Sequence, residues 1–373
     1  MASHREIYRD ARFYCAHPHV VRAADGSLLV VATRAPRRAV VLHPPHDPAF
    51  HNVALRSTDD GVTWSAPLVV PDPSWSGMEC AGLTRLRDGR IMLNQWRFNW
   101  RAPGDAGDAV LDPAGLIAER RRSAELDFSP ANALASADVS PLVREGGESW
   151  VHFSSDNGRS FGASVRLDVA PFRGGYGMRG GLELADGRIF LPLCDVPDYR
   201  QVFAVWSEDG GAHWSAPRLI ASHPEREYEE PAPLLTRNGR LLLALRENVG
   251  GVLHVTWSDD GGHHWSAARP TGIEEYPAHL LQWPSGQIAC NAGRRKPPYG
   301  IRVIVSRDNG ETWDTAAPII IRDDLPNKNL GYPTGLVDPG GSLTTIYYGE
   351  DERGITGLDL STLPPETNEE HSP

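Results

Sequence analysis

The chain has 373 residues, 40% hydrophobic and 23% charged, the make-up of a soluble globular protein with a sizeable core. A formal net charge of −11 argues against nonspecific nucleic-acid binding. There is no apolar run long enough to span a membrane and no apolar leader in Met1–Tyr8, so no membrane partner is expected and the protein reads as cytoplasmic, or secreted if a signal was removed.

Two signals alternate along the chain. The first is a two-residue turn between apolar runs: Asp25-Gly26 before Leu28–Val31, Asp88-Gly89 before Ile91–Leu93, Asp186-Gly187 before Ile189–Leu191, Asn238-Gly239 before Leu241–Leu243, Ser285-Gly286 before Ile288–Cys290, and Gly340-Gly341 before Leu343–Ile346. Such turns are strong hairpin signals. The second is Ser-x-Asp-x-Gly-x-(Thr/Ser/His)-(Trp/Phe), written at Ser57–Trp64, Ser154–Phe161, Ser207–Trp214, Ser258–Trp265 and Ser306–Trp313. Its Asp can accept N–H bonds from its own turn and its Gly can take a positive φ. A repeat of this kind governs the architecture of the whole chain.

The second element resembles the Asp-box of the sialidase superfamily of β-propellers. The resemblance implies an all-β, six-bladed β-propeller, with one blade per hairpin and a single domain over residues 1–373. Each blade reads as strand, turn, strand, strand, Asp-box, strand. The last blade lacks an Asp-box, so its outer strand is expected from the N-terminus near Glu6–Tyr8, which closes the open edges. The second blade carries an insertion at about 100–148, with a short helix expected at Leu116–Arg122 and a role as surface excursion, lid or oligomer contact.

Cys15, Cys80, Cys194 and Cys290 are scattered, without metal-ligand spacing, and read as reduced thiols in or near the core. No nucleotide-binding Gly loop, no Ser-His-Asp signature and no redox motif occurs, so no cofactor and no metal are expected.

Inner strands of a propeller surround a central pocket. Counting back nine residues from each turn glycine gives His17, Cys80, Met178, Glu230, Pro277 and Tyr332, with Glu79, Arg179, Tyr276 and His279 beside them. Counting forward seven to nine gives Arg34, Arg97, Asp195, Arg246, Arg294 and Arg295. Nearly all basic residues are arginine, only Lys296 and Lys328 being lysine, so the arginines inform by register and not by type. A cluster of guanidinium forks suits a ligand carboxylate.

At this register the resemblance to sialidases becomes residue-specific. Glu230-Pro231-Ala232 matches the family's Glu-Pro motif, Arg246 matches a triad arginine, and Tyr332 matches the nucleophilic tyrosine; Arg294, Arg295 or Arg302 is placed for another triad arginine. The family's first-blade Arg-Ile-Pro is absent: Ala16 stands where its arginine belongs, with His17 and Pro18 after it. The loop before the first Asp-box holds one acid, Asp47, among His43, His46 and His51, whose spacing fits no standard metal site.

The implied function is an exo-acting glycoside hydrolase on a carboxylate-bearing sugar. Tyr332 is then the nucleophile, Glu230 its base, Asp47 or His17 the general acid, and Arg34, Arg97, Arg179, Arg246, Arg294, Arg295 and His279 the substrate-binding set. A neutral Tyr approaches an anomeric carbon beside a carboxylate without like-charge repulsion. Two alternatives stand beside it: a uronate-directed lyase or other His-dependent carbohydrate enzyme using His17 and His279, and a non-catalytic glycan-binding propeller.

Overall fold

The structure, a computed structural model, describes residues 2–37, 47–102, 105, 142–196 and 198–365, leaving aside the side chains of 143–145. It is all-β: six antiparallel sheets arranged as the blades of a propeller, with no α-helix among the described residues. Strand β1 (Ser3–Arg9) precedes the first blade, which is β2 (Phe13–Arg22), β3 (Leu28–Pro36), β4 (His51–Ser57) and β5 (Leu68–Val70). The second blade is β6 (Gly82–Arg85), β7 (Ile91–Arg101), β8 (Val143–Ser154) and β9 (Ser164–Leu167). The third has a broken inner strand, β10 (Gly175–Tyr176) and β11 (Leu182–Glu183), then β12 (Ile189–Asp195), β13 (Val202–Ser207) and β14 (Arg218–Ala221).

The fourth blade is β15 (Tyr228–Leu235), β16 (Leu241–Glu247), β17 (His254–Ser258) and β18 (Arg269–Pro270). The fifth is β19 (His279–Gln282), β20 (Ile288–Arg294), β21 (Gly300–Ser306) and β22 (Ile319–Arg322). The sixth is β23 (Gly331–Val337), β24 (Leu343–Glu350) and β25 (Thr356–Leu363), and β1 pairs antiparallel with β25 as its fourth strand. The N-terminal strand thus closes the ring, as the missing last Asp-box implied.

The second strand of each blade is packed on both faces by neighbouring blades. This is why β12 is buried at every position and why these strands read as continuous apolar runs instead of alternating ones. The five repeat turns share one bonding scheme. In the third blade the Ser207 hydroxyl donates to Asp209 Oδ1 at 2.9 Å and accepts the Gly211 N–H at 2.8 Å, while the His213 N–H donates to Asp209 Oδ1 at 2.9 Å. The Trp214 indole N–H closes on the Gly211 carbonyl at 3.0 Å, as Trp64 and Trp265 do in their own turns; Phe161 has no such donor and the Trp313 indole N–H is buried without a hydrogen-bond partner.

The glycine of this turn is required twice. Its φ is +96°, and a Cβ there would lie 2.2 Å from the Phe153 ring of the preceding blade. The same approach recurs around the ring: Gly61 on Leu360, Gly158 on Leu29, Gly262 on Trp206 and Gly310 on Leu242. The repeat turn is therefore both a hairpin device and a contact between blades.

The four cysteines are free and buried. β7 and β8 stay paired out to Arg101↔Val143, so the insertion leaves from the tip of a long hairpin in the second blade. The expected helix at 116–122 and the insertion's role lie outside the described residues.

Candidate functional site

Three inner strands break register at equivalent places: β2 between Ala16 and His19, β15 between Glu229 and Ala232, and β23 between Gly331 and Thr334. At each break one residue before a proline takes a left-handed backbone: His17 at φ 56°, Glu230 at 50° and Tyr332 at 49°. A bulge re-aims a side chain. A left-handed non-glycine costs about 1–3 kcal/mol, a cost the surrounding sheet must hold in place. These are three of the positions lying nine residues before the turn glycines.

The bulges bring Tyr332 and Glu230 together. The Tyr332 hydroxyl donates to Glu230 Oε1 at 2.6 Å, with both side chains almost fully buried. Arg246 Nη1 donates to the other oxygen, Glu230 Oε2, at 3.2 Å, and Arg246 Nε pairs with Glu229 at 3.2 Å. The Arg246 guanidinium lies over the Tyr276 ring at 4.6 Å. Arg295 lies over the Tyr332 ring at 5.4 Å and donates from Nε to the Leu330 carbonyl at 3.1 Å.

Burial, and then the charge of Glu230, push the Tyr332 phenol well above its ordinary range. The same two causes push Glu229 up to about 7. The site thus holds a phenol that needs a base, with a carboxylate already bonded to its proton.

His17 packs edge-on against Tyr332, ring centres 4.4 Å apart. Burial first, then Arg295 and Arg179, drive its imidazole well below the usual histidine range, so it is neutral at physiological pH. Arg179 crosses the central channel, with Nε donating to the Ala278 carbonyl at 2.9 Å and Nη1 to that of Pro18 at 3.5 Å. Its Nη2 is buried without a hydrogen-bond partner, as is Nη2 of Arg295. Deeper in the channel His279 meets His19, ring centres 5.5 Å apart; their Nδ1 atoms accept the backbone N–H groups of Gly335 and Leu83. Desolvation and the nearby Arg179 push both imidazoles down, His19 to about 3.

The other candidates have local engagements. Asp47 is buried and its carboxylate accepts the Ala49 N–H at 2.9 Å in the turn leading into β4. Arg34 donates to His51 at 3.3 Å and lies over Phe13. Arg97 lies over Trp75. Arg294 pairs with Glu275 at 3.0 Å. Asp195 accepts the N–H groups of Arg200 and Gln201, each at 2.7 Å, and so shapes the loop after β12. That loop presents Tyr199, whose hydroxyl donates to Glu79 at 2.9 Å. Tyr199 escapes the register because it belongs to no repeat; its left-handed φ of 51° is visible only in the structure. Among the described residues no group of three His, Cys, Asp or Glu side chains could hold a metal ion.

A family model described as BNR repeat-like domain matches residues 137–345. Among solved structures, a protein of unknown function from Dyadobacter fermentans is similar at 22% identity, over 97% of this chain and 98% of that one, with TM-score 0.79. The NanB sialidase of Streptococcus pneumoniae is similar at 12% identity, over 95% and 70% of the two chains, with TM-score 0.67. The Penicillium chrysogenum α-L-arabinanase is similar at 13% identity, over 98% of each chain, with TM-score 0.63. At these identities the likeness is one of fold. No curated protein matches the chain.

Proposed function

The chain belongs to the BNR repeat-like family of sialidase-like propellers, and from that premise we propose that it is a glycoside hydrolase acting on a carboxylate-bearing sugar. The observation that carries this reading is the 2.6 Å bond from Tyr332 to Glu230, with Arg246 on the second carboxylate oxygen. Tyr332 attacks the anomeric carbon as its proton passes to Glu230. Arg246 holds Glu230 in line, and Arg295 over the ring favours the phenolate that develops. Water then releases the sugar from the tyrosine.

The carboxylate preference has its own support. Arg179 and Arg295 both bear on His17, and each keeps a buried N–H donor without a partner. A buried unsatisfied donor costs about 1–3 kcal/mol, which a ligand carboxylate would relieve. Arg179 from the third blade therefore serves where the first-blade arginine of sialidases is missing.

A mass-spectrometric product screen tests the proposal against sialylated and uronate-bearing oligosaccharides, with wild type and Tyr332→Phe side by side. The expected product is an acidic monosaccharide with one added water, lost in the variant. An unsaturated sugar would instead identify a lyase, and binding without turnover a lectin-like propeller.

A further inference from the structure

We infer that Glu79, held by Tyr199, is the proton-transfer residue of this site, protonating the departing oxygen and then activating the water that frees the sugar. The inference rests on the glycoside-hydrolase reading above and assigns the acid to a residue other than Asp47 and His17. The Asp47 carboxylate caps its own turn, and His17 is held neutral by burial and by the charges of Arg295 and Arg179.

Glu79 is built into position. Its N–H donates to the Trp96 carbonyl at 2.8 Å, and its own carbonyl accepts Asn52 Nδ2 at 2.9 Å. Asn52 Nδ2 also donates to Gln95 Oε1 at 2.8 Å, so the backbone is pinned from two strands. Glu79 precedes Cys80, the second-blade member of the pocket-facing register, and is 6% exposed. A carboxylate at a strand end of the central bowl, backed by a sheet on one side, has the setting a general acid needs.

Tyr199 approaches from the third blade. Asp195 gathers the N–H groups of Arg200 and Gln201, and its own carbonyl accepts the Tyr199 N–H at 3.0 Å. The loop is thereby fixed with Tyr199 left-handed, a strained state that places its hydroxyl on Glu79 Oε2. A phenol can donate to a carboxylate and accept from a carboxylic acid, so one partner serves both protonation states. The Tyr199 ring packs edge-on against Tyr176, centres 6.3 Å apart. Tyr176 and Cys80 belong to the same buried cluster as Tyr332, and the charges of Glu79 and Glu230 both act on the Tyr176 phenol.

The steps balance. The Glu79 carboxylic proton passes to the glycosidic oxygen as the bond to the anomeric carbon breaks. The Tyr332 oxygen bonds to that carbon, its proton moving to Glu230. In the second step water attacks the carbon and gives a proton to Glu79, the tyrosine–carbon bond breaks, and Tyr332 regains its proton from Glu230. The sum is one hydrolysis.

A leaving-group comparison tests this. For the sugar released by wild type, kcat/KM is measured on the natural oligosaccharide and on its nitrophenyl glycoside, with wild type, Glu79→Gln and Tyr199→Phe. The nitrophenolate departs without a proton. Glu79→Gln should lose about 10²–10⁴-fold on the oligosaccharide and stay within a few-fold of wild type on the nitrophenyl glycoside. Its alkaline limb in the pH profile should disappear. Tyr199→Phe, which keeps the acid, should displace that limb, and this holds the test open if Glu79→Gln fails to fold. Equal losses on both substrates, or an unmoved alkaline limb in both variants, would overturn the role of Glu79 while leaving the hydrolase reading intact. A wild type inactive on every glycoside would remove both.

Discussion

A phenol that keeps its proton is a poor nucleophile, and burial makes Tyr332 keep it more tightly. In the proposed reaction Glu230 resolves this, its carboxylate already accepting the Tyr332 hydroxyl at 2.6 Å. Replacing Glu230 by Gln should lower kcat by about 10²–10⁴-fold with little change in substrate affinity, as read by steady-state kinetics and calorimetric binding. Arg295→Met should raise KM for an acidic sugar by about tenfold or more, the worth of one charge-assisted bond, leave the KM of a neutral analogue unchanged, and lower kcat on both through the lost support of the Tyr332 phenolate. Glu229 gives a pH signature. Its carboxyl is raised by burial and the Glu230 charge, so it stays protonated in the folded protein at pH values where the unfolded chain has already ionised it. It therefore costs stability as pH rises from about 4.5 toward about 7. Glu229→Gln should flatten the melting temperature across that interval. A profile unchanged by the substitution would show that another group titrates there.

The residues at the bulges were legible because a fixed offset from the turn glycine selects them. His17, Glu230 and Tyr332 share that offset and the left-handed backbone that goes with it. Tyr199 was not legible, since the loop carrying it has no counterpart in other blades. Nor does the offset distinguish Arg179, which bonds backbone carbonyls of two other blades and keeps a spare N–H, from Arg294, which is neutralised by Glu275. Partners across a ring are set by closure, and sequence distance does not encode them.

At the level of the element, the repeat turn holds the blades in contact. Gly211→Ala forces a Cβ onto the Phe153 ring at a positive φ. It should destabilise the fold by about 1–3 kcal/mol in denaturant unfolding, whereas Gly239→Ala, with open space around it, should show only the backbone strain. The turn carboxylates add an acid limit. The Thr63 hydroxyl and amide hold Asp59 down to about 2, and the amide and ring of His213 do the same for Asp209. Their folded values lie below the ordinary 3.8, so their stabilisation is full above that point and is lost as pH falls toward about 2. Thermal melts between pH 5 and pH 2 should fall in that window, and Asp59→Asn should shrink the fall.

For the molecule as a whole, closure by β1 is the decisive topological feature. Its register along β25 runs from Ser3↔Thr362 to Arg9↔Gly357, and Arg9 adds an ion pair to Asp359 at 3.2 Å. Deleting residues 2–9 would leave β25 as an open edge, so the truncated chain should melt earlier and self-associate in sedimentation runs. In the proposed reaction the ring matters because Tyr332 comes from the sixth blade and Glu230 from the fourth; a loosened ring would separate the proposed nucleophile from its base. The number of blades and their closure could be read from the repeats, because each needs its own turn residues. The substrate of the proposed reaction could not, because the side chains lining the candidate site converge from blades far apart in sequence.

The most direct measurement is covalent trapping. Wild type, Tyr332→Phe and Glu230→Gln are incubated with a fluorinated glycosyl fluoride of the acidic sugar released in the product screen, then weighed intact and mapped by peptide mass. One glycosyl group is expected on the peptide containing Tyr332, slow to form in Glu230→Gln and absent in Tyr332→Phe. Turnover that survives Tyr332→Phe, or a glycosyl group carried by another residue, would contradict the role of Tyr332 as nucleophile.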